Sequence, residues 1–322
     1  MPAPTQDTGL LRPDLALSLE EYDAAAAQSG YIALRVLPVF ESALAGATFG
    51  RIPIEALLQN PEVDRTPRGG YNRGDWKFED DTFSTRERGW EEAIDEDEAA
   101  IQRRYFDVER IATIRARGII LRAAEIRAAA ALFNATTFSA HPVTNEWDDL
   151  ENAVPIDDVE ASVRRVWAAC GLWPNALIVD RLVFRNLRRC KQILDRIAAH
   201  GAGSPIKATD VTAAMLAEVF DLEEIIIAGS PKNTANPNKP VQIASIWSGE
   251  YAMTARVGRT EDLREPCVGR TIHWDGGGSQ IGGAIESYYS PEVRGDVIRC
   301  RHRVHEKIIY AESADLLSNI TT

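Results

Sequence analysis

The spacing of apolar residues changes character along the chain. From Asp95 to Asn134, "DEDEAAIQRRYFDVERIATIRARGIILRAAEIRAAAALFN", the residues Ile101, Tyr105, Val108, Ala112, Ile119, Ala123, Ile126, Ala130 and Phe133 recur at spacings of three, four or seven. That is the period of one helix face. Asp95 can cap the start, Glu98 completes a capping box, and the acidic first turn suits the helix dipole. Dense alanine adds propensity. At about 1.5 Å per residue such a helix is roughly 60 Å long, whereas a compact chain of this length is roughly 50 Å across. The expectation is a spine that spans the subunit, with Gly118 as the place where it would bend or break.

Beyond Asn134 the pattern alternates between helix and strand. A helix is expected from Ile156 to about Ala169, a buried strand in "NALIVD", a second helix in "RLVFRNLRRCKQILDRIA", a third over Thr209–Phe220 and a strand in "LEEIIIAGS". "SPKNTANPNKPVQ" reads as a turn-rich loop, and "IASIWSGEYAMTARV" as strand interrupted near Gly249. "GGAIESYY" and "DVIRCRHRVHEKIIYAES" read as two long strands joined by "SPEVRG". The chain shows no internal repeat.

The first residues read differently. Pro2, Pro4 and Pro13 make Met1–Leu15 an extended arm. Ser18–Glu21 reads as a capping box for a short helix to about Gln28, stopped at Gly30. "YIALRVLPVF" is read as a strand ending near Pro38. Residues 60 to 95 are polar, charged and rich in Gly and Pro, with weak alternation near Asp75–Glu79 and Thr82–Arg86. Loops this long are functional or linker-like. The interleaved Tyr71, Trp76, Phe78, Phe83 and Trp90 point to a projecting two-stranded loop whose aromatics bury against something else.

Composition narrows the function. Hydrophobic residues make up 45% of the 322, enough for a real core. No apolar run has membrane-spanning length, and the N-terminus lacks the basic and apolar regions of a signal peptide. The net charge of −12 argues against the whole chain wrapping tightly around nucleic acid. Four isolated cysteines form no CxxC pair, so a zinc ribbon or thioredoxin-type site is not expected.

Candidate chemistry is thin. "GGGSQIGG" (276–283) offers no lysine for a Walker loop and no GxGxxG in register, and the next residues are strand-like, where both motifs need a helix. It reads as a turn or hinge. His302 and His305 would point to opposite faces of one strand, and His305 shares its face with Arg299, Arg301 and Arg303, which disfavours a metal. That arginine face suits acidic neighbours or nucleic acid. His141, His200 and His273 accompany no nucleophile motif.

The order of parts resembles the major capsid proteins of tailed bacteriophages, with the Hong Kong 97-like capsid fold. "TFSTRERGWEEAIDEDEAA" resembles the return of the extended loop into the spine helix, and "ALIVDRLVFRNLRRCKQILDRI" a segment of the axial domain. "LAEVFDLEEIIIAGSPKNTA" resembles the helix, strand and loop that come after it, and "AIESYYSPEVRGDVIRCRHRVHEKI" the terminal strands of the peripheral domain. Together these stretches cover most of Gly30 to Thr322. The resemblance implies an α+β chain with an N-terminal arm (1–36), a peripheral domain (37–59, 92–148 and 282–322) carrying the spine helix (about 95–134), an extended loop (60–91) and an α/β axial domain (149–281).

It further implies a shell protein of the virion capsid, assembled in the bacterial cytoplasm as hexamers and pentamers around double-stranded DNA. No catalytic residue, cofactor, metal or membrane is implied. The partners implied are further copies of the chain, a portal protein, and weakly held DNA. Only about thirty residues precede the first core strand, so a scaffolding protein, like a decoration protein, would be separate. Tyr71, Trp76, Lys77, Phe78, Phe83, Arg86 and Trp90 of the loop would meet a neighbouring subunit. Gly276, Gly277, Gly278, Gly282 and Gly283 would flex between domains as a shell expands. An encapsulin, a nanocompartment shell of the same fold that encloses enzymes, is the nearest rival. A cytosolic α/β enzyme with a pocket around Trp247–Glu250 is the rival of another class.

Overall fold

The computed structural model describes residues 10–11, 30–51, 53, 58–61, 63–65, 69–74, 79–102, 107–199, 210–236, 238–262 and 265–321. The N-terminal part contains strand β1 (Leu10–Leu11), helix α1 (Ala33–Val36), and strands β2 (Val39–Ser42), β3 (Gly46–Arg51), β4 (Glu79–Ser84) and β5 (Arg86–Asp95). Helices α2 (Glu96–Gln102) and α3 (Val108–Leu132) come next, then β6 (Ala140–Pro142), α4 (Pro155–Cys170), β7 (Ala176–Asp180), α5 (Arg181–Leu187) and α6 (Lys191–Ala199). After these lie α7 (Ala213–Val219), β8 (Glu224–Ala228), β9 (Pro231–Asn233), β10 (Ile243–Ser245) and β11 (Tyr251–Ala255). The chain closes with β12 (Gly269–Trp274), β13 (Ala284–Ser290), β14 (Gly295–Ile308) and β15 (Ala314–Ser318). The Ser18–Glu21 capping box and its helix lie outside the described residues.

Two sheets share one helix. The first sheet has the order β1-β13-β14-β12-β2, with β5 on the other side of β14. The second has the order β6-β15-β11-β7-β8. Every residue of β7 is buried, because the strand is covered on both faces. Leu177, Val179, Ala252 and Leu317 pack with Val159, Val163, Val183 and Ile193 of the helices. Ala176, Ile178, Met253 and Leu316 face the other way, onto Ala128, Ala129 and Leu132 of α3 and onto α1. The N-terminal half of α3 instead packs Ala112, Ala116 and Ile120 on Ile285, Ile298 and Cys300 of the first sheet. One continuous helix thus contributes to two of the three cores.

Several local expectations change. β5 runs through Asp95, because it pairs residue by residue with β14 as far as Gly295. Asp95 still caps, its Oδ1 accepting from the amides of Asp97 and Glu98, but it starts only the short α2. Asp107 caps the spine anew by accepting from the Arg110 amide at 3.2 Å. The 25 residues of α3 run through the buried Gly118 without a break. "YIALRVLPVF" is not one strand: Ile32, Ala33, Val36 and Leu37 are buried while Leu34 and Arg35 are exposed, which is helical spacing. The expected long second helix splits into α5 and α6 where the Arg189 and Cys190 amides turn back onto Asn186 and Leu187.

Domain limits shift as well. The two-stranded ribbon pairs β3 with β4, so it begins at Gly46 rather than near residue 60. Residues 86–91 belong to β5 in the first sheet. β12 lies in the first sheet, antiparallel to β14 and parallel to β2, so the axial span of 149–281 is too long at its end. β15 crosses back into the second sheet between β11 and β6, so 282–322 is not wholly peripheral.

Where the spine passes between the sheets, Glu125 is 1% exposed. Its carboxylate accepts from the amides of Ile32 and Ala33 at 2.8 Å, from Trp247 Nε1 at 2.6 Å and from Ser230 Oγ at 3.5 Å. These are the free amides at the start of α1 and the only polar atom of a fully buried indole. Burial raises the Glu125 pKa, and the four donors partly offset that rise. Glu125→Ala would leave three buried N–H groups unpartnered and is expected to cost about 3–5 kcal/mol, read as a lower denaturant midpoint. Glu125→Gln keeps the shape and one acceptor oxygen and should lose less.

Candidate functional site

The residues expected to meet partners do not form one group. Tyr71 is 75% exposed, with the Arg65 guanidinium 4.9 Å from its ring centre. Phe83 is buried within its own chain, 6.3 Å from the Phe49 ring, so it stabilises the ribbon and is not a free contact. Arg86 is exposed at the start of β5. Trp90 faces the spine side of the first sheet, opposite Cys300, yet stays 46% exposed because β5 borders the sheet. Its Nε1 donates to Glu92. Trp76, Lys77 and Phe78 lie outside the described residues.

β14 alternates as its sequence requires: Cys300, His302 and Val304 are buried, and Arg299, Arg301 and Arg303 are half-buried. The arginine face is neutralised within the chain. Arg299 pairs with Glu91 at 2.6 Å, Arg301 with Glu286, and Arg303 with Glu87 at 2.6 Å. Tyr288 and Trp274 lie under the Arg299 and Arg303 guanidiniums. These cross-strand pairs fix register. They leave a balanced ladder rather than a basic strip for phosphates.

The glycines do not join two domains. Val304 pairs with His273 of β12 and Arg301 with Ala284 of β13, and both strands lie on the side of β14 away from β5. β12 and β13 are thus two pieces laid end to end along one neighbour, with residues 274–283 as an excursion between them. Ser279 fills the gap: its Oγ accepts from the Arg303 amide at 2.9 Å and lies 3.0 Å from His273 Nε2. The Gly277 carbonyl accepts from Arg301. Gly276 and Gly278 complete a single 3-10 turn with it, and Gly277, Gly278, Gly282 and Gly283 have positive φ. Gly283 is constrained twice over, by its φ of +109° and because a Cβ would sit 2.2 Å from Cys300 Sγ. The chain leaves the second sheet at Ala255 and enters the first at Gly269. On β12 the fully buried Arg270 donates to the carbonyls of Thr260 and Asp262 and to Glu265. Burial alone would raise the Glu265 pKa, but the Thr260 and Arg259 amides, the Thr260 hydroxyl and Arg270 bring it down to about 2.

A cavity of about 290 Å³ lies between α3 and the first sheet, lined among others by Leu34, Arg117, Leu121, Ile281, His302 and Glu306. His302 is buried with neither ring nitrogen hydrogen-bonded. Burial, with Arg127 and Arg88 close by, pushes its pKa down to about 4 despite Glu306. Glu306 is held by Arg127 at 2.7 Å. In the Trp247–Glu250 stretch, Trp247 is fully buried and edge-on to Phe133 at 5.0 Å, while Ser248 and Glu250 are exposed. Among the described residues no cluster of three His, Cys, Asp or Glu side chains is placed to hold a metal ion, and no helix is long and apolar enough to cross a membrane.

No protein-family model and no curated protein matches the chain. Solved structures do. A phage-related protein from Bordetella bronchiseptica is similar over 98% of both chains, with a TM-score of 0.70 and 18% identity. The capsid of cyanophage P-SCSP1u matches over 88% of this chain and 86% of its own, with a TM-score of 0.56 and 9% identity. A virus-like particle from Pyrococcus furiosus matches over 92% and 95%, with a TM-score of 0.54 and 11% identity. The chain has the Hong Kong 97-like capsid fold. Within this capsid fold, the Glu125 node, the β14 ladder and the glycine excursion come from sequence features that differ in legibility. The ladder comes from alternation. The Glu125 node had no sequence signal except a lone carboxylate on the apolar face of the spine.

Gly283→Ala should destabilise the subunit by about 2 kcal/mol or more through strain and the clash with Cys300. Gly277→Ala, whose Cβ meets nothing nearer than 4.0 Å, should cost about 1 kcal/mol from its φ alone; chemical unfolding of both variants checks this. His302 keeps a neutral ring in the fold down to about pH 4, whereas the unfolded chain takes up the proton near 6.5. Stability should therefore fall by about 3 kcal/mol as pH drops from 6.5 to about 4. His302→Gln should flatten that part of the stability–pH curve.

Proposed function

We propose that this chain is the repeating subunit of a protein shell, the major capsid protein of a tailed bacteriophage. Copies associate as hexamers and pentamers into an icosahedral head, built in the host bacterial cytoplasm, that encloses double-stranded DNA. The observation that carries this reading is the fold: two sheets on one spine helix with a separate two-stranded ribbon, similar over 98% of this chain to a phage-related protein and over 88% to a phage capsid. The reading assigns the chain no catalytic role and no cofactor. Its partners are further copies, a portal protein at one vertex, and a separate scaffolding or decoration protein where one is used. Packaged DNA contacts it weakly, in keeping with the net charge of −12 and the internally paired arginines of β14.

A second reading, a nanocompartment of the encapsulin type, draws on the likeness to the virus-like particle from Pyrococcus furiosus. The contents separate the two: nuclease-protected DNA belongs to a phage head, a co-purifying enzyme to a nanocompartment.

Negative-stain electron microscopy of the chain purified after expression alone is expected to show closed shells or lattices of five- and six-fold rings. Small uniform particles, persisting when a scaffold partner is supplied, would overturn the shell reading.

A further inference from the structure

The exposed side of α3 carries a stripe that the packing of the described residues leaves uncovered. Ile111, Arg115, Arg122, Ile126 and Ala130 succeed one another at helical spacing, and all are exposed, with the half-buried Ile119 in line. Ile111 and Ile126 are each 39% exposed and stand about 22 Å apart along the axis. The stripe holds two arginines and no carboxylate, in a chain of net charge −12. Arg115 approaches Glu92 only at the long distance of 3.7 Å. Interleaved isoleucines suit a protein partner with an apolar centre better than a phosphate backbone.

The complementary surface is on the same chain. α2 exposes Asp97, Glu98 and Ile101 within one arc of the helix, while Ala99 points inward. Ile101 is 67% exposed, an unusual position for an isoleucine close to carboxylates. The Asp95 side chain holds the first turn of this helix in place.

We infer that α2 of one copy docks on the α3 stripe of the next, Ile101 packing against Ile126 or Ile111 and Asp97 and Glu98 pairing with Arg115 and Arg122. The two patches differ, so the contact is head-to-tail. Such contacts close into rings when the rotation per subunit allows it. This inference rests on the self-assembly proposed above and names one surface that drives it.

The test is a charge swap read by sedimentation velocity and electron microscopy. Arg115→Glu with Arg122→Glu, and separately Asp97→Arg with Glu98→Arg, should each lower the assembled fraction roughly tenfold or more. Combining all four should restore it to within about twofold of the parent. Ile101→Ala and Ile126→Ala, exposed in the free subunit, should weaken assembly with little change in melting temperature. They keep the test decisive if a reversal fails to fold. Undiminished assembly of the arginine reversal or of the isoleucine variants would overturn the inference and leave the shell reading standing, as would a quadruple variant no better than either pair. A parent chain that never assembles would instead sink the shell reading, and this contact with it.

Discussion

One buried carboxylate constrains this structure more than any other group. Glu125 sits where the spine leaves the first sheet and meets the second, and its partners come from α1, from the segment after β8 and from Trp247 before β11. An isolated buried charge is costly, so the position is tolerable only when all of these segments are in place together. That couples parts of the chain more than ninety residues apart. One helix thus packs on the first sheet with its N-terminal half and on the second with its C-terminal end.

β14 plays the matching role within the first sheet. Among the described strands it alone pairs with β5, β12 and β13 together, and its two faces do different work. The inner face supplies apolar side chains and an imidazole to the spine; the outer face holds arginines between glutamates from both flanking strands. The charged residues that make this strand look basic in isolation are balanced once its neighbours are added. The charge of a strand therefore says little until its pairing is known.

How much was legible in the sequence depended on the range of the interactions. The spine, the helix over 155–170 and the strands at 176–180 and 284–308 reflect periodicity and local caps, and the structure places them within a few residues, save that a second cap at Asp107 starts the spine late. The order of parts also pointed to the fold. The junctions were not legible, since β12 and β15 are short strands whose sheet is chosen by partners far along the chain. α1 hid inside an apolar run because four buried residues in six look like a strand until the exposed pair between them is counted. At the candidate site, Tyr71 is exposed, whereas Trp90 is only partly exposed and sits on β5 of the first sheet rather than on the ribbon. Phe83 went to its own chain because Phe49 lies beside it on the ribbon, a neighbour that only the β3–β4 pairing reveals.

The excursion at residues 274–283 bears on how such chains diverge. β12 and β13 each set their register on β14 independently. Residues can be gained or lost between them without turning either strand's side chains to the wrong face, the usual penalty for a length change within a sheet. The Gly277 carbonyl, Ser279 and Gly283 mark the places where the excursion is tied down. The short stretch between Trp274 and Gly277, ahead of those ties, is where the sheet can accept a foreign loop and remain the same sheet.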